Sequence, residues 1–427
     1  MSFIKRLFLS LTSLIVGISI VEIFLLTTTW STLTSHRQKF SHDTFSNGEK
    51  KVSRNLIRSH EQKHQSLKAT KDNIIFEKEN FKGMRHGYNY PTISENQDET
   101  SKYFYKPRKT SKRRETEFNA TEEKYFIPRD HDVNGVNFSF LLDGGDICLK
   151  SKPFIIFLIH STAKNDEARK DIRNTWASSI RQGYWYKGFS LDKNVTYVFI
   201  LGNSTRNVTT AVANENRLYG DIVQASFEES YKNTIYKSYM GFRWVRKYCK
   251  DVSFVVKVDE DVFVHVPNII SYLQNLPTDV TVNQTIFGVL SGNNGVYRSP
   301  AYYKWTISYE EYPLRSYPLH ASGGIYFMAR TVAMDLINMA DFIPLVHIED
   351  AFFCGILRKV LGFTTEEPDI LLLRGGIPID CMFYYRKSLL ALHPVGSYYK
   401  IKLWNDLPDL NKTVCRETDK QKIRNLV

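Results

Sequence analysis

The segment that most constrains this fold is Phe254-Val255-Val256-Lys257-Val258-Asp259-Glu260-Asp261-Val262-Phe263-Val264. Its first apolar run, Phe254 to Val258, lacks polar alternation, which suits a strand covered on both faces, as in a parallel sheet. Three consecutive carboxylates end that run. Ligands of open α/β sheets bind in the crevice outside the carboxyl ends of strands. Adjacent carboxylates repel one another unless water or a cation neutralises them, and their oxygens are hard ligands for Mg²⁺, Ca²⁺ or Mn²⁺. A charged surface turn is the other reading the segment leaves open. Asp259 and Asp261 share a side only if the chain stays extended through Glu260.

The flanking sequence repeats a strand–helix unit. Pro153 to His160 reads as a buried strand, and Asp166 to Ile180 as a helix with Asn165 as N-cap. Ala168, Ile172 and Trp176 form its apolar face. Arg169 and Arg173, four residues apart, share a neighbouring face. Guanidiniums at the carboxyl end of a strand suit a phosphate or a planar base; an ordinary exposed basic helix is the alternative. Val195–Leu201 and Asp221–Phe227 read as strands, with a polar, partly helical Asn203–Leu218 between them. An amphipathic helix follows from Ser230 to Tyr248, with Ile235, Tyr239, Phe242, Val245 and Cys249 on one stripe and Lys237 off it. Pro267 opens the next helix. The β-α-β-α-β-α-β order implies a parallel sheet with helices on both faces.

The second half is less regular. Tyr297 to Tyr317 is dense in Tyr and Trp, a composition that serves packing or stacking on sugar C–H faces. His320-Ala321-Ser322-Gly323-Gly324 predicts a glycine turn where backbone approaches a ligand closely. Ile325–Met328 reads as a strand and Thr331–Met339 as a helix. Glu349 and Asp350 precede an apolar helix, Ala351–Val360, placed to cap it or to act as a general base. Leu389 to His393 is a short strand ending in histidine.

Residues 7–26 form an apolar stretch with Glu22 its sole charge, preceded by Lys5 and Arg6. This predicts a membrane-spanning signal anchor with residues 1–6 cytosolic and the remainder lumenal; a cleavable signal peptide is the alternative. Residues 27–140 are polar and aperiodic and read as a flexible, disordered stem. Its basic run, Lys102 to Arg114, admits nucleic-acid binding, but a lumenal position favours a solvated linker and no nucleic-acid partner. Ser111-Lys112-Arg113-Arg114 is a candidate processing site. Glycosylation acceptors at Asn119, Asn137, Asn194, Asn203, Asn207, Asn283 and Asn411 agree with a lumenal domain, expected over residues 145–415. The five cysteines, Cys148, Cys249, Cys354, Cys381 and Cys415, leave at least one unpaired, and no C-x-x-C spacing supports a zinc site.

Five blocks then stop looking independent. Ala168 to Trp176 resembles R-x-A-I-R-x-T-W, and Phe227 to Lys237 resembles D-F-x-D-S-Y-x-N-L-T-x-K. Lys257 to Phe263 resembles K-x-D-D-D-V-F, with Glu260 at the middle of the D-x-D. Tyr317 to Gly324 resembles Y-P-x-Y-C-S-G-x-G, with Ala321 in place of the cysteine. Glu349-Asp350-Ala351-Phe352 resembles E-D-V-Y. In this order they resemble the β-1,3-galactosyltransferase family, glycosyltransferase family 31, over roughly Phe154 to His393. The tail, anchor and stem resemble its type II Golgi membrane layout.

The resemblance implies a GT-A fold, a Rossmann-like mixed sheet flanked by helices. It implies inverting transfer from a UDP-sugar, UDP-galactose being the commonest, to a glycan acceptor on protein or lipid, with N-acetylglucosamine and N-acetylgalactosamine as alternatives. It implies Mn²⁺ or another divalent metal held by Asp261, Asp259 and His393. Arg169, Arg173, Lys237 and Asp259 are implied donor-binding residues, with Gly323 and Gly324 lining the donor sugar. Asp350, with Glu349 beside it, is implied as the catalytic base. An inactive secretory-pathway partner or chaperone and a Ca²⁺-dependent lectin remain the other classes; the intact acids argue against the first, the β/α order and the arginine block against the second.

Overall fold

The computed structural model describes residues 114–427 apart from 186–188, 278–280, 293–294, 303, 373–378, 408–414 and 426–427. The predicted tail, anchor, residues 27–113 of the stem and the acceptor Asn411 lie outside the described residues. Among the described residues no helix is long and apolar enough to cross a membrane.

The strands are β1 (Phe140–Leu142), β2 (Ile155–His160), β3 (Tyr184–Trp185), β4 (Phe189–Ser190), β5 (Val195–Asn203), β6 (Ile222–Glu228), β7 (Phe254–Asp259), β8 (Phe263–Val264), β9 (Thr285–Ser291), β10 (His320–Ala329), β11 (Thr364–Glu366), β12 (Ile370–Leu372) and β13 (Ala391–His393). The main sheet runs β1-β6-β5-β2-β7-β10-β9-β11; β12-β13-β8 make a second sheet and β3-β4 a hairpin. From β6 through β5 and β2 to β7 every pair is parallel, as the apolar runs predict. Ile155 to Ile159 are wholly inaccessible. Such a strand needs cover on both faces, and each large apolar side chain it buries contributes about 1.5–3 kcal/mol. Trp176 supplies part of that cover, with its ring 5.6 Å from that of Phe157.

The other half of the sheet is mixed. β10 lies antiparallel to both β7 and β9. Parallel neighbours need a long crossover, usually a helix. Between β9 and β10 the chain instead carries the aromatic loop, so β10 returns in the opposite direction. The expected glycine turn at His320–Gly324 is corrected: these residues open β10, and the register shifts between Ala321 and Tyr326. The glycines serve close packing there.

The expected 166–180 helix is broken at Thr175 into Asp166–Asn174 and Trp176–Gln182. Thr175 Oγ1 donates to Asp171 O at 2.6 Å. Asn165 does not cap; its side-chain amide donates to Glu260. The helix expected at Ala351–Val360 begins as a π-helix, Ala351–Leu357. Residues 114–140, read as the end of the stem, pack on the domain. Thr116 Oγ1 donates to Tyr317 O at 2.8 Å, Glu115 pairs with Arg358, and the Asn134 amide donates to Ala340 O and Ile343 O. Disulfides join Cys148 to Cys249 and Cys381 to Cys415, leaving Cys354 buried and free.

One buried histidine makes stability depend on pH. His265 caps the Val266–Gln274 helix, its Nδ1 accepting from Asn268 N at 3.3 Å, and its ring packs on Trp185. Burial pushes its pKa down to about 4. The unfolded chain therefore binds the extra proton between about pH 6.5 and pH 4, where folded His265 stays neutral. This contribution is intact above about pH 6.5 and is lost as pH falls towards 4, for a total of ~3 kcal/mol. Denaturant titrations at pH 7 and pH 5 should show a smaller pH difference for His265→Asn, which keeps a capping acceptor without titrating. An unchanged difference would assign the effect to other groups.

Candidate functional site

β7 delivers Asp259 to the carboxyl edge of the parallel strands, beside His160 of β2. The chain then turns, with Val262 N donating to Asp259 O at 3.1 Å, so the acids are not one extended strand face. β8 follows and pairs with β13, which carries His393 at its end. Val395 N donates to Asp261 O at 2.6 Å and fixes the approach. These steps bring Asp259, Asp261 and His393 together, with one ligand atom from each lying within 4.8 Å of the others. His393 Nε2 stands 3.4 Å from Asp261 Oδ1, an oxygen that is shielded from water and accepts no hydrogen bond of ordinary geometry. A shielded carboxylate oxygen facing an imidazole, with a second carboxylate beside it, fits a divalent cation such as Mn²⁺.

Lys257 lies one turn of the pleat below. Its ammonium contacts Asp259 Oδ1 at 2.6 Å, Glu349 Oε2 at 3.6 Å and the Gly323 carbonyl. Burial alone would push this lysine down; the two carboxylates hold it above the ordinary lysine range and fully charged. The sequence reading missed Lys257 as a site residue. A lone cation inside a run that must be buried was the available signal.

The paired acids part company. Glu349 turns inward, accepting from Ser238 Oγ and Tyr326 Oη, and burial raises its pKa despite Lys257 beside it. It is 6% exposed and faces the Lys257 ammonium, so its place is that of a support for Lys257 beside Asp350. Asp350 is half-buried. Its Oδ1 accepts from Ala351 N at 2.9 Å and its Oδ2 from Gly323 N at 2.7 Å. A Cβ on Gly324 would lie 2.7 Å from His393 Nδ1, and one on Gly323 would lie 3.2 Å from Asp350 Oδ2. The glycine pair therefore joins the two halves of the site. Gly324→Ala should displace the imidazole and weaken Mn²⁺ binding about 10–100-fold, the usual cost of disturbing a ligand's support. Calorimetric titration measures this, and wild-type affinity would refute the contact.

Arg169 and Arg173, implied as donor-binding residues, are both buried. Arg169 is 0% and Arg173 1% exposed. Arg169 is spent on Glu215, Ser161 Oγ and Thr162 O, and Arg173 on Asp221 and Glu215. Burying two guanidiniums requires such pairing, so neither has a free face for a nucleotide. They brace the loop after β2. Lys237 is likewise held, by Glu229 at 2.7 Å and Ser161 O at 2.6 Å.

The family described as Galactosyltransferase matches residues 167–369. A lactosylceramide 1,3-N-acetyl-beta-D-glucosaminyltransferase A of Xenopus laevis is 30% identical over 56% of this chain and 63% of its own length. The human UDP-GalNAc:beta-1,3-N-acetylgalactosaminyltransferase 1 is 30% identical over 65% of this chain and 81% of its own. Among solved structures, the galactosyltransferase LgtC with donor and acceptor sugar analogues matches 62% of this chain and 99% of that one, at 13% identity and a TM-score of 0.32, too slight a likeness to support any inference.

Proposed function

Since the chain belongs to the galactosyltransferase family of β-1,3-glycosyltransferases, we propose that it transfers a hexose from a UDP-sugar, with inversion and with a divalent metal, to a hydroxyl of a glycan on protein or lipid. The observation that carries this is the shared glycine pair: Gly323 N–H holds Asp350 while Gly324 lies under His393. A proton acceptor and a cation site thus sit on adjacent backbone units.

Asp261, Asp259 and His393 would hold Mn²⁺, which when bound neutralises the diphosphate leaving group as a Lewis acid. Asp350 takes the proton of the attacking acceptor hydroxyl from the face opposite the leaving group. Lys257 keeps Asp259 and the Gly323 carbonyl in register, so base and metal ligands move as one unit. A carboxylate is a weak base at neutral pH; fixed geometry and electrostatics supply most of the rate.

Galactose is the first donor sugar proposed, on the sole ground that it is the commonest in the family; no residue of the motifs selects it. The names of the two relatives favour a second reading, N-acetylglucosamine or N-acetylgalactosamine. We place the protein in the Golgi membrane as a single-pass type II protein. Residues 7–26, the acceptor asparagines and two disulfides support an anchored, oxidising, lumenal setting. The test is UDP release from metal-stripped protein with each UDP-sugar, with and without Mn²⁺, over a panel of glycan acceptors. Mn²⁺-dependent release with one donor establishes the reading and names the sugar. Absence of both UDP release and Mn²⁺-dependent UDP binding overturns it.

A further inference from the structure

We propose that a cavity at the amino ends of β2 and β7 binds an acidic sugar, a pyranose carrying a carboxylate or a sulfate ester. The choice of a sugar rests on the transferase reading; the anion site stands on the cavity itself. Lys152 and Pro153 lead into β2, and Asp251 and Val252 lead into β7. With the Cys148–Cys249 disulfide they line a cavity of about 280 Å³, near the lower end for a small-ligand cleft. Six residues of β7 at ~3.3 Å each separate this end of the sheet from the end that carries Asp259. The cavity is therefore a second site, roughly 20 Å from the first.

The buried part of its lining is Pro153, Val252 and the disulfide. Tyr248 adds a half-buried ring, a surface for the C–H face of a pyranose. The exposed part carries Lys152, Lys247 and Lys250, with Asp251 as its one acid, so the lining is cationic. Lys193 adds to this, its Nζ lying 5.8 Å over the ring of Phe154, the residue after Pro153. Lysines are point charges on flexible stems, suited to an anion met from several sides. Lys152 is held at this place in a strained conformation. It follows the short helix Ile147–Ser151 with φ 41° and ψ 64°, and its N–H donates to Cys148 O at 3.0 Å. Glycine is the usual residue at such a helix end, because a Cβ is strained there. The helices ending at Gln182, Tyr219 and Leu361 all use it, as Gly183, Gly220 and Gly362. Among the described residues Lys152 is the sole non-glycine residue at positive φ. Strain kept beside a cavity, where glycine would relieve it, marks a side chain that is used.

The experiment uses the full-length chain purified in detergent. Saturation-transfer NMR reads galactose 6-sulfate, the methyl α-glycoside of N-acetylneuraminic acid, and neutral galactose. Wild type should bind at least one acidic sugar about tenfold or more tighter than galactose, and the preferred one names the acid. Equimolar inorganic sulfate should leave that binding in place, and rising salt should weaken it. Lys152→Gly should weaken it about tenfold while melting no lower than wild type. Lys250→Gln, an exposed position that cannot unfold the domain, should weaken it about threefold. Mn²⁺-dependent UDP binding should match in all three proteins. Acidic sugars bound no better than galactose, or displaced by equimolar sulfate, overturn the proposal. So does binding kept within about twofold in both variants. Wild type that binds an acidic sugar through Lys152 yet fails to bind UDP sinks the transferase reading and leaves the anion site standing.

Discussion

Asp350→Asn should reduce sugar transfer by about 10²–10⁴-fold, the usual span for losing a positioned general base, while Mn²⁺-dependent UDP binding persists. The structure makes this substitution interpretable. Asn keeps one side-chain oxygen for either Gly323 N or Ala351 N, the two donors Asp350 now satisfies. The lost hydrogen bond costs about 1 kcal/mol, too little to unfold the domain. Glu349 cannot substitute, because Ser238, Tyr326 and Lys257 enclose it. Glu349→Gln should act differently: it leaves Lys257 with a weakened partner set, so its main effect is a lower melting temperature. Initial rates, UDP titrations and melting curves on both variants separate the roles. Transfer retained within about threefold in Asp350→Asn would place the base elsewhere.

What the sequence revealed and concealed follows from the range of each interaction. The strands β2, β5 and β7 were legible because burial on both faces leaves near-continuous apolar runs. The Asp259, Asp261, His393 cluster was reached through motif resemblance, since 132 positions separate Asp261 from His393 along the chain. No local pattern reports the pairing of β8 with β13 that closes that gap. Arg169 and Arg173 misled for a related reason. Their helical spacing was read correctly, but their partners Glu215 and Asp221 lie on other elements. A cation's spacing does not say whether it faces a ligand or a buried carboxylate. The glycines at 323 and 324 signalled close approach correctly; what approaches is His393 and Asp350, within a strand instead of a turn.

The second large effect is expected at Asp261. In Asp261→Ala, Mn²⁺ stimulation of transfer should vanish and the rate fall by about 10³-fold, equivalent to ~4 kcal/mol of lost charge stabilisation. Asp261 is a cleaner choice than Asp259. Its Oδ1 faces the His393 imidazole, itself a proposed ligand, and its structural bond to Val395 uses the backbone carbonyl, which alanine retains. Removing Asp259 instead would strip the buried Lys257 ammonium of its nearest carboxylate, and an uncompensated buried charge destabilises by about 3–5 kcal/mol. Asp259→Ala should therefore lose both metal binding and thermal stability, and Asp261→Ala only the first. Metal-stripped wild type should regain its rate when Mn²⁺ is added back, and Asp261→Ala should not. A stripped wild type that keeps its full rate would refute metal dependence. An Asp261→Ala variant still stimulated by Mn²⁺ would remove this carboxylate from the ligand set.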